Sequence, residues 1–241
     1  MRDTIYFVSD LHLGAGTPSE EERKKEKFIQ FLQLVRQNGK TLYIVGDLFD
    51  FWFEYKNAIP KTEVEILAAL KNLVLMKLPV VYLAGNHDFW QRDFFPKYLG
   101  IQFEKGDVVL NRGGQKIFIT HGDGKARSDW GYRLLRGLFR FPLNVWLYRQ
   151  LPVDLAFPLA RLVSGSSRRW TEARGKELLS EYEEFARGKF AEGFDALVLA
   201  HSHWPELKVV EGKTLVNIGD FMTHFTYGVL RGKELELKKM E

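Results

Sequence analysis

The stretch TIYFVSDLHLG, residues 4–14, decides the fold. Its first half is an apolar run that predicts a buried strand, and Asp10 and His12 follow just past the strand's end. Side chains two residues apart on an extended backbone point the same way, so Asp10 and His12 should face one site. On its own, however, an aspartate two residues before a histidine is more often part of a turn or a helix cap.

Strands and helices alternate along the first third of the chain. Apolar runs at 41–46 and 79–85 predict two further strands. Amphipathic segments at 20–39 and 62–76 predict helices between the strands, the second with Thr62 as its N-cap. This β-α-β-α-β order is typical of a largely parallel sheet covered by helices.

The rest of the chain divides into a helical middle and a strand-rich end. Short strands are expected at 107–111 and 116–120, followed by a helical region. Further strands are expected at 196–200, 206–210, 214–218, 226–230 and 234–238. We therefore expect a core formed by 1–126 and 193–241, with 127–192 inserted as a helical cap.

The composition narrows the class of protein. The 241 residues are 45% hydrophobic, which is normal for a globular chain that buries a core. There is no cysteine, so disulfides and thiolate metal sites are excluded. A net charge of +4 permits an anionic partner without selecting one. No segment has the roughly 18 uninterrupted apolar residues of a transmembrane helix, and no signal peptide is expected.

Polar side chains follow the predicted strands at the point where each strand ends. Asp47 follows the second strand, and the block GNHD places Asn86, His87 and Asp88 after the third. The later candidates are His121, His201 and His203. Because ligand sites form at the carboxyl ends of parallel strands, these side chains should converge. Buried aspartates need a compensating charge, so this set predicts divalent metal ions.

Five blocks in this order, D-x-H, G-D, G-N-H-D, H-G-D and H-x-H, resemble the calcineurin-like metallophosphoesterases. The resemblance covers about 1–125 and 195–220. It implies an α/β (α+β) fold, a sandwich of two β-sheets flanked by helices, with a site for two divalent metal ions. One ion would be held by Asp10, His12, Asp47 and His203, and the other by Asp47, Asn86, His121 and His201.

The same resemblance implies roles in catalysis for the block after the third strand. Asn86 would serve both as a ligand and in catalysis, while Asp47 would bridge the two ions. His87 would contact a phosphoryl oxygen or protonate the leaving group, and Asp88 would orient His87. The alternative is that His87 is a turn residue. The hard oxygen and imidazole ligands favour manganese, with iron and zinc as alternatives.

The predicted helical region combines arginine with large apolar side chains. Between 131 and 170 there are seven arginines, one acidic residue and no lysine. The planar guanidinium group binds phosphate oxygens in pairs, which favours phosphate recognition. Packing against the sheets accounts for part of the apolar residues. A phospholipid-like substrate or an anionic membrane surface would account for the rest.

A narrower resemblance covers almost the whole chain. The runs HGDGKARSDWGYRLLRGLFR (121–140), RLVSGSSRRW (161–170) and VNIGDFMTHFTYGVL (216–230) are similar to the UDP-2,3-diacylglucosamine pyrophosphatases of lipid A biosynthesis. This implies cleavage of a diphosphate to UMP and 2,3-diacylglucosamine 1-phosphate (lipid X), in the cytoplasm and in peripheral association with the inner membrane. It also implies substrate contacts from Asp129, Tyr132, Arg161, Ser164 and Arg168.

Two residues depart from the pattern of that narrower family. His87 stands where well-known proteobacterial members have arginine, and Ala200 replaces the usual glycine before H-x-H. Another phosphodiester or a nucleotide therefore stays open as the substrate. Nucleic acid is not expected, because base stacking does not need so many aliphatic residues. A metal-free scaffold that docks partners or membranes is the third alternative, although every ligand position is filled here.

Overall fold

The computed structural model describes residues 3–61 and 63–241, without the side chain of Glu172. The predicted cap Thr62 lies outside the described residues. The first half of the chain forms β1 (Thr4–Val8), α1 (Pro18–Asn38), β2 (Gly39–Val45), α2 (Val64–Leu75), β3 (Val80–Leu83), a π-helical turn (Phe95–Leu99), β4 (Gln102–Glu104), β5 (Val108–Arg112) and β6 (Gln115–Ile119). Of these, β4 and the π-helical turn are not predicted from the sequence.

Three helices follow in the second half, and then five strands. They are α3 (Trp130–Arg140), α4 (Pro142–Gln150), α5 (Val153–Ala191), β7 (Ala196–Leu199), β8 (Glu206–Val210), β9 (Lys213–Asn217), β10 (Thr226–Arg231) and β11 (Glu234–Lys239). The helical character predicted for 127–192 is confirmed, while the role of this region as an inserted cap stays a prediction.

The strands form two mixed sheets. The first has the order β11-β10-β1-β2-β3-β4, in which β1 to β4 are parallel and the two C-terminal strands are antiparallel additions. The second has the order β5-β6-β7-β9-β8, with a parallel centre and antiparallel edges. The predicted fold of two packed sheets is confirmed, and the expected parallel arrangement holds for the central strands.

Alternation along β1 shows why two sheets pack together. Ile5 and Phe7 lie in the core between the sheets, where they meet residues of β6 and β7. Tyr6 and Val8 point to the opposite face, where α1 and α2 cover the first sheet. Because successive side chains of a strand point to opposite faces, an all-apolar strand requires cover on both sides.

The helix α5 covers the outer face of the second sheet with its C-terminal half. Leu178, Tyr182 and Phe190 pack there against Phe118 and other residues of the sheet. Farther towards the N-terminus, Gly175 lets α5 pass close to the loop after β7, because a Cβ at this position would lie 2.5 Å from the carbonyl oxygen of Ser202. The helix therefore runs from the sheet to the edge where the loops converge.

The helices before α5 pack loosely and leave much apolar surface exposed. Pro142 separates α3 from α4, as the sequence predicts, because proline lacks an N–H and clashes with the preceding helical turn. None of the residues in α3 or α4 is buried. Within residues 3–61 and 63–241, the structure contains no helix with the length and apolarity that crossing a bilayer requires.

Candidate active site

The side chains after β1 and β7 form a first cluster of buried polar atoms. His12 Nε2 lies 3.2 Å from His203 Nε2. Asp10 Oδ1 lies 3.6 Å from His12 Nε2 and 3.5 Å from His203 Nε2. The ligand atoms of these three residues all lie within 4.8 Å of one another, so that one cation could contact all of them.

The side chains after β2, β3, β6 and β7 form a second cluster beside the first. His121 Nε2 lies 3.3 Å from Asp47 Oδ2 and 3.1 Å from Asn86 Oδ1. His201 completes this cluster, its ring centroid 5.1 Å from that of His121. Asp47 Oδ2 also lies 3.8 Å from His12 Nε2, which places this carboxylate between the two clusters.

Each aspartate has one anchored oxygen and one oxygen without a partner. Asp10 Oδ2 accepts a hydrogen bond of 3.1 Å from the backbone N–H of His201, and Asp47 Oδ1 accepts one of 2.9 Å from that of His87. Asp10 Oδ1 and Asp47 Oδ2 are buried and have no hydrogen-bond partner among the described residues. An unpaired buried carboxylate oxygen is unfavourable unless a cation compensates it. The two clusters and the fold therefore fit a site for two divalent metal ions.

Strained backbone concentrates at these ligands. Five of the eight described non-glycine residues with positive φ are predicted ligands. They are Asp10, His12, Asp47, His201 and His203. Such angles are unfavourable for residues with a Cβ and persist where surrounding structure enforces them, often at functional sites. Gly85 contributes to the same packing, because a Cβ there would lie 2.0 Å from Asp47 Oδ1.

Burial and neighbouring charges shift the pKa values of His12 and His201 in opposite directions. Burial opposes a charge on His12, but the carboxylates of Asp10 and Asp50, each 3.6 Å from a nitrogen of the ring, outweigh it and raise the pKa of His12 to about 9. Burial, followed by the charge of His121, lowers the pKa of His201 to about 3. A metal ligand must present a neutral imidazole, so metal binding at this site would displace a proton from His12.

His87 is fixed by two contacts on one side of its ring. His87 Nδ1 lies 2.8 Å from the carbonyl oxygen of Asp50 and 2.8 Å from Ser164 Oγ. A carbonyl oxygen only accepts hydrogen bonds, so the proton of the neutral ring lies on Nδ1. His87 Nε2 is then left on the side of the clusters, 4.0 Å from Asp47 Oδ2. Burial lowers the pKa of His87.

The structure corrects the predicted role of Asp88 as the residue that orients His87. Asp88 Oδ2 accepts hydrogen bonds from the backbone N–H of Leu48, at 2.9 Å, and from the hydroxyl of Tyr82. Asp88 Oδ1 accepts one of 2.8 Å from the backbone N–H of Gly85. The turn after β3 directs this carboxylate back towards the sheet, where it ties the loops after β2 and β3 together.

Asp50 connects several parts of the site, and sequence reasoning did not identify it. Its Oδ1 lies 3.6 Å from His12 Nδ1 and 3.9 Å from His87 Nδ1, and it forms an ion pair with Arg168. Burial opposes the negative charge, but the nearby ring of His12 and the positive charge of Arg168 lower the pKa of Asp50 to about 2. The available signal was a second acidic residue in the block GDLFD.

Asp123 is the second residue that sequence reasoning missed. The HGD block contains it, but only the histidine of that block was assigned a role. Its Oδ2 accepts hydrogen bonds from the Tyr132 hydroxyl at 3.0 Å, from Arg136 Nη1 at 3.1 Å and from Arg140 Nη2 at 3.4 Å. Asp123 therefore holds the start of α3 against the loop that carries His121.

A cavity of about 740 Å³ opens beside these loops. Asn86 and His87 form part of its wall, and most of the remaining wall is apolar. Apolar and aromatic side chains of the wall include Phe51, Phe53, Trp90, Leu135, Phe139, Val145, Tyr148, Leu159, Val163 and Trp170. A mostly apolar space thus lies beside the polar clusters.

The five candidates for substrate contacts occupy different surroundings. Tyr132 and Ser164 line the cavity. Arg168 forms an ion pair with Asp50 instead of contributing to the cavity wall. The structure brings only two of the five to the cavity, and both belong to helices that enclose it.

The two remaining candidates lie apart from the cavity wall. Asp129 is buried directly before α3, with Oδ1 3.9 Å from Arg174 Nη1. Arg161 is exposed on α5. Neither belongs to the described residues that line the cavity, and their contact with a substrate stays a prediction.

Comparisons with known proteins give one family. The family model described as calcineurin-like phosphoesterase matches residues 4–205, a range that includes every predicted metal ligand. A UDP-2,3-diacylglucosamine hydrolase of Porphyromonas gingivalis is 28% identical over 260 residues, covering 100% of this chain and 99% of the relative. One of Pseudomonas putida is 31% identical over 206 residues, covering 84% and 83%. Among solved structures, that of a novel archaeal phosphodiesterase has a TM-score of 0.48 at 14% identity, with 98% of each chain covered.

Proposed function

The chain belongs to the calcineurin-like phosphoesterase family, and on this basis we propose that it hydrolyses the diphosphate of UDP-2,3-diacylglucosamine. The products are UMP and 2,3-diacylglucosamine 1-phosphate, and the pathway is lipid A biosynthesis. The family supports a metal-dependent phosphoester or pyrophosphate hydrolase, and the names of the relatives support this substrate. The modest identity leaves the substrate to be tested.

The observation that carries the proposal is the apolar cavity beside Asn86 and His87. A small nucleotide or a simple phosphodiester needs polar contacts and little apolar space. Two acyl chains need a long apolar wall, because burying each methylene is favourable by about 0.8 kcal/mol. A cavity of about 740 Å³ with such a wall suits the lipid part of the substrate.

The two polar clusters supply the groups that would hold two divalent ions, preferably Mn²⁺, with Fe or Zn as alternatives. The first ion would take Asp10, His12, Asp47 and His203, and the second Asp47, Asn86, His121 and His201. When bound, two such ions withdraw charge from a phosphoryl group and lower the pKa of water between them. Asp47 sits between the clusters, so its carboxylate is the group that can serve both.

His87 acts on the phosphoryl group or the leaving group through Nε2. Its Nδ1 is held by Asp50 and Ser164, so the ring cannot turn without breaking both contacts. Nε2 stays on the side of Asn86 and the clusters and has no proton in the neutral ring. Once it has taken up a proton from solvent, it can donate to a phosphoryl oxygen or transfer that proton to the departing oxygen.

We propose that the protein associates peripherally with the cytoplasmic face of the inner membrane. Surface residues of the helical region support this association. Several large apolar side chains of α3 to α5 and the adjoining turns are more than half exposed. They include Trp130, Leu134, Leu138, Phe141, Trp146, Leu155 and Leu162. Arginines lie among them, and such a surface suits a layer of anionic lipid. Co-sedimentation with vesicles of anionic phospholipid tests this association.

The first experiment measures release of UMP from UDP-2,3-diacylglucosamine by the purified protein with Mn²⁺ in mild detergent. Rapid release that a chelator abolishes is the expected result. A small aryl phosphodiester, bis(p-nitrophenyl) phosphate, is assayed in parallel. Hydrolysis of the aryl compound without release of UMP would contradict the proposed substrate, and His87 would then be the first position to examine.

A further inference from the structure

Two arginines of α3 reach into the apolar cavity, one helical turn apart. Arg136 and Arg140 both line it. Arg136 Nη1 donates to Asp123 Oδ2 at 3.1 Å and to the carbonyl oxygen of Asp123 at 3.0 Å. Arg140 Nη2 donates to the same carboxylate oxygen at 3.4 Å. Two guanidinium groups thus share one carboxylate at the end of the cavity nearest the polar clusters.

This arrangement leaves positive charge without a matching negative group in the cavity wall. The third side chain on Asp123 is Tyr132, whose pKa burial raises well above its usual value, so that its hydroxyl is neutral. The other guanidinium nitrogens of Arg136 and Arg140 make no hydrogen bond within the described part of the chain. Partly buried charge that lacks a partner favours binding of an anion.

Arg140 is held in place by the loop after β3. Its Nη2 lies 3.4 Å from the carbonyl oxygen of Gly85, and its guanidinium carbon lies 3.6 Å from the centre of the Phe89 ring. Asn86 and His87 lie between these two contacts in the sequence and also line the cavity. The guanidinium group is therefore fixed between the apolar wall and the polar clusters.

We propose that Arg136 and Arg140 bind the phosphate that stays on the lipid product, with Tyr132 as an additional donor. The proposal rests on the proposed function, because it assigns the lipid-bearing phosphate of that substrate. The phosphate next to the acylated sugar must lie where apolar wall and polar clusters meet, and these two arginines occupy that position. Of the two arginines that the resemblance suggests, Arg161 is exposed and outside the cavity wall, and Arg168 pairs with Asp50.

The test compares Arg136→Gln, Arg140→Gln and Arg161→Gln in kinetics with the lipid substrate. Each of the first two substitutions should raise KM for UDP-2,3-diacylglucosamine about tenfold, the effect of one charge-assisted hydrogen bond. Arg140→Lys should recover only part of the loss, because lysine keeps the charge without the planar fork. Hydrolysis of bis(p-nitrophenyl) phosphate should fall less than hydrolysis of the lipid substrate in both α3 variants, because the aryl compound has no lipid-bearing phosphate.

Arg169→Gln is the matched control, because Arg169 is exposed and its side chain bonds the carbonyl oxygen of Gly165 one turn back. If KM for the lipid substrate rises in Arg161→Gln and not in the two α3 variants, the assignment is wrong. A similar fall in hydrolysis of both substrates would also overturn it, because the arginines would then support the fold or the metal site.

A second probe does not depend on the lipid substrate being correct. Phosphatidic acid, a diacyl phosphate, should inhibit hydrolysis of bis(p-nitrophenyl) phosphate by the parent protein. Its inhibition constant should be about tenfold higher for Arg140→Gln. Inhibition by UMP should be equal in both. If UDP-2,3-diacylglucosamine is not cleaved but this pattern appears, the proposed substrate fails and the lipid phosphate site stands. Equal inhibition of both proteins by phosphatidic acid overturns the site.

Discussion

His87 Nδ1 lies 2.8 Å from Ser164 Oγ, so one hydrogen bond joins the loop after β3 to the N-terminal third of α5. Ser164 Oγ also donates to the carbonyl oxygen of Asp50 at 2.7 Å, and Arg168, one turn later, pairs with the Asp50 carboxylate. The helix that walls the apolar cavity is therefore connected through Asp50 to His87. These contacts link the wall of the cavity to the ring of His87, for which we propose a role in catalysis.

Replacing Ser164 by alanine should lower kcat without changing metal content. Loss of one buried hydrogen bond costs about 1 kcal/mol, which corresponds to roughly a fivefold fall if it affects only the transition state. Ser164→Thr keeps the hydroxyl and should restore most of the rate. Steady-state kinetics with bis(p-nitrophenyl) phosphate checks this, since that substrate does not fill the apolar cavity. If KM changes and kcat does not, Ser164 contacts the substrate and does not position His87.

Replacing Asp47 by alanine should abolish turnover and remove bound metal. One carboxylate oxygen, Oδ2, faces both clusters and has no other partner among the described residues. Its loss weakens both proposed ion sites together. Metal content by elemental analysis and turnover of either substrate measure the effect. Asp93→Ala is the control, because that carboxylate is exposed and pairs with Lys97. If Asp47→Ala keeps full turnover and full metal content, Asp47 does not bridge the two ions.

Replacing His87 by alanine should leave metal content intact and lower kcat about a hundredfold, the lower range for a positioned acid or base. His87 is not among the residues assigned to the two ions, although its ligand atom lies within 4.8 Å of those of His12 and Asp47. His224→Ala provides the comparison, since this histidine is partly exposed and pairs with Asp220. An unchanged kcat in His87→Ala would make His87 a structural residue of the turn.

The positions of the proposed ligands could be predicted because they depend on local rules. Asp10 and His12 are two residues apart after an apolar run, and the parallel pairing of β1 with β2 brings Asp47 to the same edge as Asp10. These relationships need only the period of a strand and the direction of parallel neighbours. The bounds of most elements followed from the same pattern of apolar residues.

The contacts around the ligands could not be predicted in the same way. The carbonyl oxygen of Asp50 accepts a hydrogen bond from Ser164, which is 114 residues away in the sequence. Asp123 contacts residues of α3 through a turn whose geometry the sequence does not indicate. Which arginines of a helix face the cavity depends on how the helix is rotated about its axis. Arg161 and Arg140 are equally plausible by composition, but only Arg140 lies in the wall.

Replacing Lys24 by methionine should destabilise the turn that carries Asp10 and His12. Lys24 is buried, and its Nζ donates to the carbonyl oxygens of His12 at 2.8 Å and Leu11 at 3.2 Å. Methionine fills similar space but removes both bonds. The His12 carbonyl keeps its bond from the Ala15 N–H, whereas the Leu11 carbonyl loses the Lys24 donor, at a cost of about 1–3 kcal/mol.

Thermal unfolding of the Lys24→Met protein, with and without Mn²⁺, measures this effect. Lys97→Met is the control, because its exposed pair with Asp93 contributes little. The stabilisation that Mn²⁺ adds should also be smaller in Lys24→Met than in the control, because a displaced turn misplaces two of the proposed ligands. Equal stabilisation by Mn²⁺ in the two variants would show that Lys24 supports the fold without positioning Asp10 and His12.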